Sequence, residues 1–80
     1  MKRSDVIEKL KNLIEEEREI TIDANDQKLD IDSFTMTLII SSVNDEFGVT
    51  LDMETLDFDA FTSLNTLADL VEAEGGNQVQ

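Results

Sequence analysis

The stretch LDIDSFTMTLIISSV, residues 29–43, decides the fold, because a polar loop gives way within it to an apolar run with helical spacing. The side chains that share one face of the predicted helix over residues 34–47 are Met36, Ile39, Ile40, Val43 and Phe47. Gly48 follows, a residue type on which helices commonly end. Ser33 stands at the helix start, where its hydroxyl can either cap the helix or carry a phosphate near the positive end of the helix dipole.

Phe34 and Leu38 fall nearly opposite the core face of this helix, beside Ser41 and Asp45. Unless the preceding loop or a later short helix folds over them, the two apolar side chains should be exposed and rimmed by acidic residues. Such a patch is typical of a protein-binding surface. Phe34, Leu38 and Asp45 are therefore candidate partner-binding residues.

A first helix is predicted over residues 5–17, with Ser4 or Asp5 as its cap and Asp5 and Glu8 in capping-box register. Its apolar residues at helical spacing are Val6, Ile7, Leu10, Leu13 and Ile14. Residues 18–32 lose this period and predict a long loop. The apolar residues that should hold the loop against the core are Ile20, Ile22, Leu29 and Ile31.

Residues 53–61, METLDFDAF, predict a short helix, and Thr62 or Ser63 should then cap a last main helix. The core stripe of that helix consists of Leu64, Leu67, Ala68 and Val71. It should end at the two glycines that open a disordered tail, residues 75–80. The predicted domain, residues 1–74, is all-α: a small four-helix bundle of three main helices and one short helix, with a long loop between helices one and two.

Composition excludes several classes of function. The 80 residues include no Cys, His, Trp or Tyr, which excludes disulfides, thiolate or imidazole metal sites, and catalysis by Cys or His. No run of about 18 apolar residues is present to span a bilayer, and the charged N-terminus MKRSDVIEKL is unlike a signal peptide. We therefore expect a cytoplasmic protein without membrane insertion.

The net charge of −13 is unevenly distributed, since all six cations precede residue 29. Residues 29–80 contain eleven Asp and Glu and no Lys or Arg. This charge repels nucleic acid and anionic membranes, attracts basic proteins and favours a monomer. An acidic helical adaptor that binds other proteins, with Ser33 only a helix cap, is an open alternative on these grounds.

Two further functions fit parts of the sequence poorly. The loop DANDQKLDIDSF is spaced like a calcium-binding EF-hand, but Lys28 stands where glycine is needed and Phe34 where a bidentate Glu is needed. A carboxylate-only enzyme built on Asp30 and Asp32 would lie at a loop–helix junction of a domain too small to bury a substrate pocket. We expect neither metal ligands nor catalytic residues.

The segment from Leu29 to Val71 resembles the acyl carrier proteins and the related peptidyl and aminoacyl carrier domains. In that family an Asp-Ser-Leu motif opens the second helix, the acidic end of that helix runs into Phe-Gly, and a Thr-x-x-x-Leu helix closes the bundle. The corresponding segments here are Asp32-Ser33-Phe34, Asn44-Asp45-Glu46-Phe47-Gly48 and Thr62-Ser63-Leu64-Asn65-Thr66-Leu67.

The resemblance implies that Ser33 receives 4'-phosphopantetheine from coenzyme A, through a magnesium-dependent phosphopantetheinyl transferase that leaves a phosphodiester on the serine oxygen. Asp32 would help the transferase to orient the serine and its metal. An acyl, aminoacyl or polyketide group would be carried as a thioester and presented to a loading ligase and to downstream transferases or synthases with basic surfaces. The domain itself would catalyse nothing.

The sequence departs from the family pattern in two places, and from the carriers of fatty acid biosynthesis in a third. Asp30 stands near the position of a usual glycine, and Phe34 replaces the usual leucine. The exposed face of the second helix, where those carriers place carboxylates, is predicted to consist here of Thr35, Thr37, Leu38, Ser41 and Ser42. Only Asp45 and Glu46 keep the acidic character, which predicts a specialised carrier for an aminoacyl, polyketide or other dedicated pathway.

Overall fold

The computed structural model describes residues 2–52, 54 and 56–76. They form three α-helices, α1 (Arg3–Arg18), α2 (Ser33–Phe47) and α3 (Leu64–Gly76), with one 3-10 turn, Phe58–Phe61, before α3. No strand occurs in this part of the chain. The predicted all-α class is therefore confirmed. No helix among these residues is long and apolar enough to cross a membrane.

The predicted short fourth helix is present only in part, as the single 3-10 turn Phe58–Phe61. Asp57 caps the turn by accepting a hydrogen bond from the Asp59 N–H at 2.9 Å, and the Thr62 N–H closes it on the Asp59 carbonyl at 3.2 Å. Only Phe61 of the turn is buried, which gives the segment too little apolar surface to support a longer helix. Met53 and Thr55 of the predicted helix lie outside the described residues.

Helix α1 supplies one side of the core through residues that are fully buried: Val6, Leu10 and Ile14. It begins earlier than predicted, with Lys2 at the cap position and no side-chain capping bond, so neither Ser4 nor Asp5 caps it. A contact with α3 lies at this end of the helix. The guanidinium of Arg3 donates to the carboxylates of Asp69 and Glu72 on α3, at 2.8 and 2.7 Å, and thereby ties the first turn of α1 to α3.

Helix α3 carries the predicted core stripe, all of it fully buried: Leu64, Leu67, Ala68 and Val71. Ser63 caps it in a reciprocal arrangement, since its hydroxyl accepts from the Thr66 N–H and the Thr66 hydroxyl accepts from the Ser63 N–H. The helix runs to Gly76, so it reaches the predicted glycines but includes both of them, which the prediction placed in the tail. Glycine inside a helix costs only about 1 kcal/mol relative to alanine. Residues 77–80 of the predicted tail lie outside the described residues.

Residues 19–32 join α1 to α2 without helix or strand and are held at both ends of their span. Ile22 and Leu29 are buried in the core, and Ile31 packs against it. The Leu29 N–H donates to the carbonyl of Thr62 at 2.6 Å, which fixes this segment to the start of α3. Ile20 was predicted to pack inward but is 40% exposed, because the chain has just left the helix through Glu19 in the left-handed conformation.

The contrast between two isoleucines tests the assignment of the core. Ile14→Ala removes a fully buried side chain, and we expect it to lower the free energy of unfolding by about 2–5 kcal/mol. Ile20→Ala makes the same chemical change at an exposed position, so we expect a loss below about 1 kcal/mol. Urea unfolding measures both values, and equal losses would contradict the assignment.

Candidate functional site

Ser33 is the first residue of α2, and its side chain is exposed. The residue that caps the helix is Asp32, whose backbone is extended and whose Oδ1 accepts from the Thr35 N–H at 2.8 Å. The interpretation of Ser33 as the cap is therefore wrong. Asp32 outcompetes it because the carboxylate stands one residue earlier, where a side-chain oxygen can reach the N–H three residues ahead.

The Ser33 hydroxyl thus has no structural task in the described part of the chain, where it makes no hydrogen bond. The backbone of Ser33 is held, since its carbonyl accepts from the Thr37 hydroxyl at 2.9 Å in addition to its place in the helix. An exposed primary hydroxyl on a fixed backbone is accessible to a modifying enzyme. The alternative of an acidic adaptor explained Ser33 only as a helix cap, and that explanation fails because Asp32 is the cap.

Helix α2 also provides an environment suited to an attached phosphate. The N–H groups of Ser33 and Phe34 lie in the first turn, where a helix offers them no carbonyl partner. The Thr35 N–H and the Met36 N–H are already bonded, to the carboxylate and to the carbonyl of Asp32. The Ser33 and Phe34 N–H groups thus lack a helical carbonyl partner and lie at the positive end of the helix dipole, which suits a phosphodiester on the Ser33 oxygen.

The second oxygen of Asp32 binds a cation that the sequence did not single out. Arg18, the last residue of α1, donates from Nη1 to Asp32 Oδ2 at 2.8 Å. The bond joins the end of α1 to the start of α2 across residues 19–32. No motif pointed to Arg18 because this contact depends on how the intervening loop folds, although its place as the last cation before an acidic loop was a weak signal.

Hydrogen bonding by Thr35, above all from its N–H, lowers the pKa of Asp32 below its ordinary value of 3.8, and the charge of Arg18 lowers it further, while desolvation opposes both. The Asp32 side chain is 53% exposed, so solvent screens the attraction to Arg18. Since its pKa is lower in the folded than in the unfolded protein, Asp32 contributes stability above the ordinary carboxyl range. That contribution disappears as the pH falls through the folded pKa.

The predicted partner-binding residues differ in exposure. Phe34 is 64% exposed, as expected, and Asp45 is exposed, but Leu38 is half-buried. Thr35, predicted on the exposed face, is buried instead. The buried residues of α2 repeat every four positions, as Thr35, Ile39 and Val43, which turns the core face of the helix toward Leu38. Apolar spacing alone missed this rotation because it ignored the threonine.

Two neighbouring features lie outside the predicted site. Phe58 is 59% exposed on the 3-10 turn, between two acidic residues. An open depression of about 410 Å³ lies between that turn and α3, and its lining consists of Asp57, Asp59, Ala60, Thr66, Asp69 and Leu70. Neither Ser33 nor Asp32 lines it. Among the described side chains no group of three acidic residues is arranged to hold a metal ion.

The titration of Asp32 tests the geometry of this site. Arg18→Gln removes the nearby positive charge, so we expect the titration midpoint of the Asp32 carboxyl to rise, while the capping bond from Thr35 keeps it below the ordinary value. Carboxyl-carbon NMR measures the midpoint directly.

Arg3→Gln is the matched control, because it removes one positive charge from α1 at the contact with α3. We expect it to leave the Asp32 midpoint unchanged. An unshifted midpoint in Arg18→Gln would mean that the ion pair to Asp32 is not formed in solution.

Comparison with known proteins agrees with this site. The family model described as "Phosphopantetheine attachment site" matches residues 4–72. Acyl carrier proteins of Lactococcus lactis, from subspecies cremoris and lactis, are 32% identical to the chain over 78 residues, covering 91% of this chain and 97% of theirs. No solved structure matches significantly. The family match spans most of the chain and includes the α1–α2 junction, all of α2 and α3 as far as Glu72. The chain therefore belongs to the phosphopantetheine-binding acyl carrier protein family, whose members are carriers and not catalysts.

Proposed function

We propose that Ser33 is the attachment residue for 4'-phosphopantetheine and that the chain carries an acyl, aminoacyl or polyketide group as a thioester on this arm. The observation that carries the proposal is the division of labour at the start of α2: Asp32 caps the helix, and the exposed Ser33 hydroxyl is left free. Among the residues of the family motif, Ser33 alone offers a hydroxyl in this position.

The residues around Ser33 take distinct roles in attachment. The Ser33 oxygen forms the new bond to phosphorus and loses its proton, while the nucleotide part of coenzyme A leaves. The free N–H groups of the first turn of α2 lie where they stabilise the negative charge of the phosphodiester. Asp32, exposed beside the serine, is proposed to orient the transferase and its metal.

Once attached, the arm supplies the thiol that this cysteine-free chain lacks, so the chain takes part in thioester chemistry without a nucleophile of its own. The protein contributes a tether and a recognition surface. Tethering raises the local concentration of the bound group at each enzyme that recognises the domain.

The recognition surface is proposed to centre on Phe34, with the half-buried Leu38 supporting it and Asp45 at its acidic end. Glu46 is less available, because Lys9 of α1 binds its carboxylate at 3.0 Å. The acidic residues of the segment 52–59 add long-range attraction for partners with basic surfaces. These partners are the phosphopantetheinyl transferase, a loading ligase, and downstream transferases or synthases.

This surface supports a dedicated pathway in preference to housekeeping fatty acid biosynthesis. The outer face of α2 presents an exposed phenylalanine and the hydroxyls of Thr37 and Ser41, which cannot pair with a basic enzyme surface as carboxylates do. We further propose a monomeric carrier domain over residues 1–74, located in the cytoplasm, whose strong like charge opposes self-association.

Intact mass spectrometry tests the attachment residue. After incubation with coenzyme A, magnesium and a broad-specificity phosphopantetheinyl transferase, the wild-type chain should gain the mass of one phosphopantetheine. Ser33→Ala should gain nothing, yet remain folded, because Asp32 caps the helix without the serine.

Ser41→Ala is the matched control, since it removes an exposed hydroxyl from the same helix. It should gain the same mass as the wild type. A gain in Ser33→Ala would reject Ser33 as the attachment residue, and no gain in the wild type, under conditions that modify another carrier, would reject the attachment itself.

The role of Phe34 is tested by the kinetics of the same transferase. Phe34→Ala should lower kcat/KM for attachment about tenfold, because it removes the apolar centre of the contact. Stability should change by less than about 0.5 kcal/mol, since the side chain is 64% exposed. Phe58→Ala makes the same change at a similarly exposed position outside the proposed face and should retain wild-type kinetics. Equal effects of the two substitutions would place the contact elsewhere.

The pathway proposal has its own test. A housekeeping malonyl transferase should act on the phosphopantetheinylated chain with a kcat/KM at least about tenfold below that for the carrier of the same fatty acid synthase, which corresponds to about 1.4 kcal/mol of lost recognition. Equal kcat/KM values for the two carriers would show that the chain serves housekeeping synthesis.

A further inference from the structure

An attached phosphodiester creates an electrostatic conflict in this chain. Its negative charge would lie one residue from the Asp32 carboxylate, in a protein of net charge −13 that has no cation after residue 28. Like charges this close repel each other, and each disfavours the ionised form of the other. The positive end of α2 offsets part of this repulsion, but it is shared with the Asp32 carboxylate that already caps the helix.

Arg18 is placed where it can remove the conflict. Its Nη1 lies 2.8 Å from Asp32 Oδ2, and its side chain is 32% exposed, so the guanidinium lies at the surface beside the residue that precedes Ser33. In the described part of the chain this group makes hydrogen bonds only to Asp32. A guanidinium has five N–H donors in a planar fork that matches the oxygens of a phosphate, so several donors remain for a second anion.

Two other cations of α1 form ion pairs far from the start of α2. Arg3 is bound to Asp69 and to the neighbouring carboxylate of Glu72 on α3. Lys9 is bound to Glu46, near the opposite end of α2. Of the ion-paired cations in the described residues, Arg18 therefore supplies the positive charge at the start of α2.

We propose that Arg18 is a positioning residue for the prosthetic group, bridging the Asp32 carboxylate and the phosphodiester on Ser33. The proposal rests on attachment at Ser33. Nη1 keeps its bond to Asp32, while the remaining donors of the guanidinium bind a phosphodiester oxygen. The base of the arm is thereby held against α2 by the end of α1, and the charge of the pair of anions is partly neutralised.

The test compares the protein before and after attachment by NMR. In the wild type, the Arg18 Nε–H signal should shift on conversion to the modified form, and the Arg3 Nε–H signal should not. The phosphorus resonance of the modified protein should move in Arg18→Gln, move less in Arg18→Lys, which keeps the charge but lacks the fork, and stay unchanged in the control Arg3→Gln. Added salt should reduce the difference between wild type and Arg18→Gln.

Two results overturn the inference while leaving attachment intact: an Arg18 signal that does not shift on modification, or a phosphorus resonance in Arg18→Gln that equals the wild-type one. The first is measured on the unaltered chain and stands even if a variant fails to fold. Intact mass, recorded on the same samples, separates these results from failure of attachment, because a wild-type sample without the added mass overturns both proposals.

Discussion

The Asp32 carboxylate is the group on which the arrangement of this site depends. One oxygen accepts from the Thr35 N–H and starts α2, and the other accepts from Arg18 and joins that start to the end of α1. Because the two contacts use different oxygens, capping and helix pairing do not compete. Ser33 follows directly and is left with a fixed backbone and a free hydroxyl, and the proposed attachment rests on this arrangement.

Ion pairs from α1 to other helices also occur elsewhere in the bundle, and three cations of α1 form them within the described residues. Arg3 binds α3, Lys9 binds the end of α2, and Arg18 binds its start, so one helix holds two acidic segments in place along its length. Pairs this exposed add little stability individually. The free energy of folding comes chiefly from the buried apolar stripes between the helices, and the ion pairs place cations of α1 against acidic residues of α2 and α3.

The sequence predicted what local patterns determine and missed what depends on contacts between distant residues. Apolar spacing placed the core residues of α1 and α3, and Ser63 was correctly considered as a cap. The burial of Thr35 was not predicted, because a pattern of apolar residues leaves out a buried threonine. Asp32 and Ser33 are both good capping residues in adjacent positions, so only geometry separates them. Arg18 lies fourteen residues from its partner across an irregular segment, and no periodic signal reaches that far.

The proposed recognition surface assigns attraction and contact to different residues, and this has a consequence for how partners would select the chain. Charge on the segment 52–59 and at Asp45 acts over the distance of the Debye length, accelerates the encounter with any basic enzyme and weakens as salt rises. Phe34 acts only on contact, through removal of apolar surface from water, and is little affected by salt. A partner without a matching apolar pocket is therefore attracted as quickly as the correct one but dissociates sooner. On this proposal, selectivity among basic enzymes resides in the dissociation rate, which is set by the aromatic ring of Phe34 beside Ser33.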